Sequence, residues 1–439
     1  MRDVVVTGVG VWSAAGRGLD ALAGVLRAHR GCGKPRAGAL PVALAATVPV
    51  PVPPAADFPD DRKAELALAA YEDALVDAGL RFTAQGFTAQ GFSAQGSAAQ
   101  QSSAESALLP APDRRAVFLG TGLSSVTEGE LAEDVYPHLD ADGRFDRPGM
   151  ARDLARDRAA PRRHVPGRVT AELVRRIGAT GPTGTSFSAC AAAAQAIAEG
   201  AWAIRRGEVD LAIVGGHDAM VHPLGMLSFI VLGALSPTGC RPFDRTRDGF
   251  MIGEGAAIFV LESAERAAAR GARVRARVLG AGTSADSWNV TAPHPEGAGA
   301  ELAMRRALRD AGLEPHQVDY VNAHGTGTPL GDAAEAAAIG RVLGPGAPVS
   351  SIKGAVGHTI AAAGALEAAA CIAALEGGFL PGTVGLEQPD PSLPVRAIAR
   401  PEDADVRVTL SNSFGFGGQN CALVLGHSTA EQRLERADV

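Results

Sequence analysis

Short apolar runs alternate along the chain with longer stretches in which alanine and other apolar residues recur at helical spacing. The apolar runs lie at residues 4–7, 116–119, 211–214, 257–261, 318–322 and 406–410. The helical stretches include 62–79, 191–206, 300–311 and 359–376. Buried strands of a covered sheet read as continuous apolar runs, and helices that pack on a sheet show one apolar face. The alternation therefore predicts an α/β fold with helices on both faces of its sheets.

The stretch 62–79 gives the plainest helix prediction. Leu66, Ala69 and Ala70 fall on one face, and Gly79 follows the last turn as a C-terminal cap. Residues 82–101 then repeat a decaying five-residue unit, FTAQG, that is rich in Gln, Ser and Ala. Such a composition supplies no hydrophobic core. We therefore predict a flexible, low-complexity surface insertion over 82–112.

The first apolar run, 4–7, is followed by Gly8 and Gly10, which predicts a buried strand that enters a tight turn. A dinucleotide-binding loop would need a third glycine where the chain has Ser13, so nucleotide binding is disfavoured. The run is too short for a secretory signal, and no stretch approaches about 20 uninterrupted apolar residues. We expect a cytoplasmic protein without a membrane span.

Length and composition are typical of a globular protein large enough for two packed halves. The chain has 439 residues, of which 46% are hydrophobic and 20% are charged. Strand and helix units occur in both 1–265 and 266–439, which suggests two similar halves. The net charge of −7 gives no positive field that would attract nucleic acid or an anionic membrane. The five cysteines form no CxxC pair, so neither a disulfide framework nor a zinc site is expected.

Cys190 is the first candidate for chemistry because it directly precedes the helical stretch 191–206. Backbone amides at a helix N-terminus favour the thiolate, which predicts a lowered pKa and a nucleophilic sulfur. On position alone, a buried cysteine with a structural role is the alternative.

His324 is the second candidate. It follows the predicted strand 318–322 and begins the segment HGTGTPLGD, a glycine-rich loop at the end of a strand where α/β folds place ligand sites. The glycines leave room for a long, thin substrate. A histidine that only forms hydrogen bonds within its turn is the alternative.

Two further segments combine small residues with polar groups. In SIKGAVGHTIAAAGALE, Lys353 and His358 bracket a loop that leads into the stretch 359–376. A histidine near a helix start is kept neutral by the helix dipole and can donate a hydrogen bond to an oxyanion. The turn 412–420, NSFGFGGQN, is too glycine-rich to serve packing, and its amides could face a substrate carbonyl. The spacing of Cys190 and the two histidines fits a nucleophile with two imidazoles rather than a metal site.

These segments resemble the β-ketoacyl-acyl-carrier-protein synthases of the thiolase superfamily, closest to the Cys-His-His synthase I/II branch. The resemblance covers nearly the whole chain apart from the repeat insertion, and the motifs stand in the order of the family. They are VVVTGVG, FSACAAAAQAI around Cys190, RPFDRTRDGFMIGEGA, NAHGTGTPLGD, SIKGAVGHTIAAAGALE and NSFGFGGQN.

The resemblance implies a thiolase-like five-layer αβαβα fold made of two related halves, 1–265 with Cys190 and 266–439 with His324 and His358. It also implies a dimer that elongates an acyl chain by decarboxylative Claisen condensation. Cys190 would hold the acyl group as a thioester, and the histidines would bind the malonyl thioester carbonyl and promote loss of carbon dioxide. No metal or organic cofactor is expected, because the substrates are carried on the phosphopantetheine of an acyl-carrier protein.

The remaining roles are also implied by the resemblance. Lys353, with Glu367 as its partner, would support the electrostatics of the histidine region, and Asp332 would give structural support. The amides of Cys190 and Phe416 would form the oxyanion hole, and Phe416 would also act as a gate. The substrate-binding residues would be Thr326 and Thr328 on the phosphopantetheine arm, Phe229 in the acyl tunnel, and Phe414.

Two departures from the family, the alanines at 191–194 and Gln419, weaken any assignment of substrate. A non-catalytic partner subunit of the chain-length-factor kind is the main alternative, although such a subunit is not expected to keep the nucleophile and both histidines. A coenzyme A thiolase with Cys421 as its second catalytic cysteine is another.

The expected partner is an acyl-carrier protein, with Arg62 and Lys63 as candidate docking residues because carrier proteins are usually acidic. The dimer would be a homodimer, or a heterodimer with a chain-length-factor-like subunit. Fatty-acid, polyketide and aryl-polyene pathways all stay open.

Overall fold

A computed structural model of the protein describes residues 2–35, 44–58, 61–83, 86–89, 109–122, 136–155 and 165–429. The strands of its main sheet are β1 (Val4–Ser13), β2 (Arg115–Thr121), β3 (Thr183–Ser186), β4 (Leu211–Ala219), β5 (Glu254–Ser263), β6 (Ala276–Ala285), β7 (Tyr320–Asn322), β8 (Pro348–Ser350), β9 (Arg396–Ala397), β10 (Val408–Gly415) and β11 (Gln419–His427). Gly16–Arg17 pairs with β1, and three short ladders stand apart: Lys34–Pro35 with Leu44–Ala45, Leu80–Thr83 with Gly86–Ala89, and Phe379–Leu380 with Glu402–Asp403.

The helices surround and separate these strands. They are α1 (Leu19–Arg27), α2 (Arg62–Asp77), α3 (Arg147–Ala155), α4 (Arg168–Ile177), α5 (Ala192–Arg205), α6 (Pro223–Val231), α7 (Ala264–Ala269), α8 (Ala298–Ala311), α9 (Pro329–Leu343), α10 (Lys353–Val356) and α11 (Ala363–Gly377). Short 3-10 turns lie at Pro112–Arg114, Tyr136–His138, Ala189–Ala191, Pro315–Gln317 and Ile360–Ala362.

The main sheet runs in the order β9-β8-β7-β10-β11-β6-β1-β5-β4-β2-β3. It has two wings, which meet where β1 and β6 share only two residue pairs, Val5 with Arg277 and Val6 with Ala276. Parallel pairing joins β3, β2 and β4 in one wing and β9, β8, β7 and β10 in the other. Although the join is short, residues of both wings, among them Val214 of β4 and Leu423 of β11, belong to one hydrophobic cluster.

Helices cover the outside of each wing and fill the space between them. α2 packs on β1, β5 and β4 in one wing, and α8 packs on β6 and β11 in the other. The helices α5 and α11 contact each other and strands of both wings. This succession of helix, sheet, helix, sheet and helix is the five-layer αβαβα arrangement of a thiolase-like fold.

The middle layer is built from small residues. In α11, every residue from Ala363 to Leu375 is buried, and most of them are alanines. The segment Ile360–Gly377 is long and apolar enough to cross a membrane, with a mean hydropathy of 1.5, but 89% of it is buried inside the protein. It is therefore the core helix against which both wings pack.

The first strand differs from its prediction. β1 continues through Gly8 and Gly10 to Ser13 with a bulge after Val6, so the predicted tight turn is wrong. A Cβ atom at Gly8 would lie 2.2 Å from the Ala74 carbonyl oxygen of α2. These glycines therefore serve a close approach of helix to strand rather than a change of direction.

Two other predictions need smaller changes. The strand predicted at 406–410 begins at Val408, because the Asp319 carboxylate accepts hydrogen bonds from the amides of Arg407 and Val408. The start of the predicted flexible insertion forms the ladder of Leu80–Thr83 with Gly86–Ala89. Residues 90–108, which hold most of the repeat, lie outside the described residues.

The helix predicted at 62–79 is confirmed as α2, whose N-cap Asp61 accepts a hydrogen bond from the Ala64 amide.

Candidate active site

Cys190 lies in the 3-10 turn Ala189–Ala191, directly before the middle helix α5. Its neighbour Ala189 has a φ of +48°, a left-handed conformation that L-residues with a Cβ rarely adopt. Gly415 passes so close that a Cβ there would lie 2.7 Å from the Ser188 carbonyl oxygen. The chain thus presents the cysteine on a strained turn, with its side chain 5% exposed.

The structure brings the two predicted histidines to this sulfur. His324 follows β7, and His358 stands between α10 and the turn Ile360–Ala362. The Nε2 atom of His358 lies 3.1 Å from the Cys190 sulfur. One donor atom from each of the three side chains lies within 4.8 Å of the other two. All three are buried, so the residues form one small constellation.

Hydrogen bonds to the far side of each ring decide where its proton sits. The Ile360 amide donates to Nδ1 of His358 at 3.3 Å. The Lys353 ammonium, which has donors only, lies 3.3 Å from Nδ1 of His324. Both rings therefore carry their hydrogen on Nε2. Burial, and next the charge of Lys353, lowers the pKa of both histidines well below its usual value. The site thus holds two neutral N–H donors.

Lys353 is itself held by a buried partner. Its ammonium bonds the Glu367 carboxylate on α11, as predicted, and donates to the His324 carbonyl oxygen at 2.5 Å. Both side chains are 1% exposed, and Glu367 also accepts a hydrogen bond from the Ser413 hydroxyl at 3.0 Å. This pair anchors the histidine loop to the middle layer.

The Cys190 thiol differs from its prediction. Burial raises the pKa of Cys190 to about 12, and the charge of Lys353 and a hydrogen bond from the Phe416 amide oppose that rise only in part. The predicted lowering by the helix N-terminus is therefore wrong, because desolvation of the sulfur outweighs the favourable charges and dipoles. The resting side chain is a thiol.

Near His324 the sequence analysis missed Glu335, and it included Asn412 only as the first residue of the turn 412–420. Glu335 of α9 accepts hydrogen bonds from the amides of His324 at 2.9 Å and Gly325 at 2.8 Å, and Asn412 donates to it at 3.1 Å. Burial raises the pKa of Glu335 to about 7. Its signal in the sequence was a carboxylate in an alanine-rich stretch, three residues after Asp332.

Asp332 supports the same loop without touching the rings. Its carboxylate accepts hydrogen bonds from the amides of Gly327 at 3.0 Å and Phe243 at 2.8 Å. It is fully buried, and desolvation raises its pKa to about 6. It ties the glycine-rich loop to the segment before β5.

A cavity of about 420 Å³ opens onto the three central side chains. The hydroxyl oxygens of Thr326 and Thr328 lie 2.9 Å apart on its wall, and Phe416 is 36% exposed. Phe250, which the sequence analysis missed, packs edge-on against His358 with ring centroids 5.0 Å apart. The lining also includes the predicted residues Phe229 and Phe414. An apolar passage with a few polar groups therefore leads to the sulfur.

Three predicted residues lie elsewhere. Lys63 is 5% exposed inside the protein, so its candidacy as a carrier-docking residue is wrong: its position on α2 turns it toward β4. Arg62 bonds the Glu254 carboxylate at 2.9 Å. Cys421 is fully buried in β11 and does not line the cavity, which disfavours the thiolase alternative.

Cys190, His324 and His358 are also the described residues best placed to hold a metal ion, since thiolate and imidazole are zinc ligands. In metal sites, however, the second ring nitrogen of a ligating histidine usually donates its hydrogen to an acceptor. Here donors face Nδ1 of both rings. The arrangement therefore suits hydrogen-bond donation to an oxygen better than metal ligation.

Comparison with known proteins gives a consistent picture. The sequence-family model for the Beta-ketoacyl synthase N-terminal domain matches residues 59–267 of this chain. The sequence-family model for the Beta-ketoacyl synthase C-terminal domain matches residues 275–387. The 3-oxoacyl-[acyl-carrier-protein] synthase 2 of Staphylococcus aureus is 38% identical over 321 residues, which cover 71% of this chain and 77% of that protein.

Solved structures agree. The ishigamide ketosynthase/chain length factor superposes with a TM-score of 0.78 at 34% identity, over 97% of this chain and 99% of that one. A type II polyketide synthase acyl-carrier protein in complex with its ketosynthase, bound to the hexaketide, gives a TM-score of 0.79 at 25% identity, over 97% and 99%.

Proposed function

Because the chain belongs to the beta-ketoacyl synthase family, we propose that it is a 3-oxoacyl-acyl-carrier-protein synthase that elongates a fatty-acid or polyketide/polyene chain. The observation that supports this most strongly is the meeting of the Cys190 sulfur with two neutral N–H donors at the end of one cavity. The enzyme is an acyltransferase. The substrates supply the only prosthetic group, the phosphopantetheine of the acyl-carrier protein.

The first half-reaction transfers the acyl group to Cys190. Its sulfur attacks the thioester carbonyl of the acyl carrier, and a new C–S bond to Cys190 forms as the C–S bond to the carrier breaks. The proton that the cysteine gives up passes to the carrier sulfur, which leaves as a thiol. Since the resting thiol has a raised pKa, deprotonation is coupled to this transfer. The Nε2–H of His358 stabilises the developing thiolate from 3.1 Å.

The second half-reaction forms the carbon–carbon bond. The Nε2–H groups of His324 and His358 donate to the thioester oxygen of the malonyl carrier, where enolate charge develops as carbon dioxide leaves. The carbanion then attacks the acyl carbonyl on Cys190, and the C–S bond breaks. The thiolate regains its proton from solvent. Lys353 and Glu367 keep His324 in the donating tautomer.

The amides of Cys190 and Phe416 serve as the oxyanion hole for the tetrahedral intermediate. Support comes from the Phe416 amide, which donates to the Cys190 sulfur, and from the partly exposed Phe416 side chain, which lines the cavity where it would act as a gate. Thr326 and Thr328 bind the phosphopantetheine arm. Phe229 contacts the acyl chain from the cavity wall, and Phe414 completes the wall near His324, 5.8 Å from that ring.

The protein works with an acyl-carrier protein and as a cytoplasmic dimer, either a homodimer or a heterodimer with a chain-length-factor-like subunit. Residues 1–265 form the half that carries Cys190, and 266–439 form the half that carries both histidines. The non-catalytic reading is disfavoured, because the site keeps its nucleophile and both donors and the named relative is a synthase.

Intact-mass measurement tests this function. After incubation with an acyl-carrier protein loaded with a medium-length acyl chain, the protein should gain one acyl mass, and malonyl carrier should then release a 3-oxoacyl product. Cys190→Ala should gain no mass and give no product, whereas the matched variant Cys421→Ala should behave as the unmodified protein. Product formation by Cys190→Ala would refute the role of Cys190 as the acyl acceptor. Loss of activity in Cys421→Ala would instead favour the thiolase hypothesis.

A further inference from the structure

Asp218 is a buried carboxylate that the reaction described above does not use. It stands at the end of β4, is 1% exposed and does not line the active-site cavity. Its Oδ1 accepts a hydrogen bond from the Ala219 amide at 2.9 Å. Its Oδ2 accepts one from the Ala361 amide at 3.1 Å, across a sequence distance of 143 residues. The carboxylate therefore bridges the first wing and the turn that precedes α11.

The protein is shaped to admit this carboxylate. A Cβ atom at Gly122, just after β2, would lie 2.2 Å from Oδ2 of Asp218. A side chain at 122 would therefore push the carboxylate from its place. Burial raises the pKa of Asp218 to about 6, and the buried Lys63 of α2 is the main opposing charge. A desolvated acid is retained only where its contacts compensate for the lost hydration.

The turn that Asp218 contacts is strained. Ile360 has a φ of +47°, which is an outlier for a β-branched residue and persists only where the surroundings hold it. The Ile360 amide is the group that donates to Nδ1 of His358. The Ala361 amide, one residue on, is the group that Asp218 holds. The carboxylate thus fixes the peptide unit next to the one that sets the proton position on His358.

We propose that Asp218 is a positioning residue for His358, which holds the Ile360–Ala362 turn so that the Ile360 amide keeps the ring hydrogen on Nε2. This inference rests on the proposed function only for its kinetic consequence. Without an acceptor at 218, the turn relaxes toward negative φ and the Ile360 amide leaves Nδ1. The ring then exchanges between tautomers and loses its donor toward the thioester oxygen.

Histidine ring ¹⁵N spectra report directly which ring nitrogen of His358 carries the hydrogen, and they need no enzymatic turnover. In protein labelled with ¹⁵N-histidine, the His358 signals are assigned by their loss in His358→Asn. Asp218→Ala should move the Nδ1 signal of His358 toward the protonated range, whereas Asp218→Asn, which keeps an acceptor oxygen, should leave it close to its original position. A signal that is unchanged in Asp218→Ala overturns the proposal.

Kinetics give the second readout. In Asp218→Ala we expect kcat for condensation to fall about 10- to 100-fold, by analogy with the loss of a hydrogen-bond partner that orients a metal-ligating histidine, with KM for malonyl carrier within about twofold. Asp218→Asn should recover most of kcat. The control is Thr121→Val, at the end of the adjacent strand, where the buried hydroxyl has no partner among the described residues; it should leave kcat unchanged.

A second variant serves as the control for loss of folding. If Asp218→Ala does not fold, Gly122→Ala keeps the acid but crowds it, and should shift the His358 signal and lower kcat in the same direction. A variant that melts at lower temperature but retains the His358 signal and kcat shows a structural role and overturns the proposal. Failure of the proposed function would appear instead as absence of acyl mass on the unmodified protein.

Discussion

The two turns that lead into the middle helices share a backbone conformation but differ in the side chains that surround them. Ala189–Ala191 leads into α5, and Ile360–Ala362 leads into α11. Each turn begins with a non-glycine residue in the left-handed region, at φ +48° and +47°. The first turn contains Cys190, and the second begins two residues after His358.

The difference lies in the groups that surround each turn. Beside Cys190 stand alanines at 189 and 191–194, none of which is charged, and Gly415, which lines the cavity. The second turn is tied by buried charges: Asp218 holds it, and Lys353 with Glu367 holds the loop before it. The Cys190 turn therefore has small, uncharged neighbours in sequence, whereas the turn after His358 is held by buried charges. Substitutions should accordingly cost stability mainly in the second region.

The largest expected effect comes from Lys353→Met. Removal of one partner leaves the buried Glu367 charge uncompensated, so the free energy of unfolding should fall by about 3–5 kcal/mol, as measured by urea titration. The double variant Lys353→Met/Glu367→Gln should recover at least half of that loss. Arg396→Met serves as the matched control, because its partner Glu402 is exposed, and it should cost less than about 1 kcal/mol. A loss of similar size in Lys353→Met and Arg396→Met would show that the buried pair stabilises the second region no more than a surface ion pair does.

The next effect concerns the nucleophile's turn and its pH dependence. Because the pKa of Cys190 is raised to about 12, the thiolate fraction, and with it the rate of alkylation by iodoacetamide, should rise about tenfold per pH unit from pH 7 to 10. Alkylation of other cysteines is subtracted with Cys190→Ala. A rate that levels off by about pH 8 would show that the helix start lowers the pKa after all.

The smallest effect tests backbone strain. At φ +48°, Ala189→Gly removes a left-handed Cβ penalty of about 1–2 kcal/mol and adds a chain-entropy cost of about 0.5–1 kcal/mol, so stability should rise by about 0.5 kcal/mol. Ala196→Gly, within α5, should instead lower it by about 1 kcal/mol. Equal losses in the two variants would mean that the Ala189 turn is unstrained.

The sequence predicted a large part of this structure. The periodicity of 62–79 and of the later helical stretches identified α2, α5, α8 and α11, because a helix with one apolar face repeats its pattern locally. The prediction of a tight turn at Gly8 and Gly10 was wrong. In the sequence, a glycine that allows close helix packing cannot be distinguished from one that ends a strand. Motifs around Cys190, His324 and His358 also identified the candidate chemistry.

Residue types and their local order thus determined the helices and most strands, and they pointed to Cys190, His324 and His358, which the structure brings together. Only the tertiary structure decided their charge states and supports, since burial and partners distant in sequence set both. The structure shows that Cys190 is a thiol and not the expected thiolate. It also places the hydrogens of both histidine rings on Nε2 and identifies Glu335 and Asp218 as supporting residues. Desolvation depends on what surrounds a group in three dimensions, and one-dimensional spacing carries no record of that.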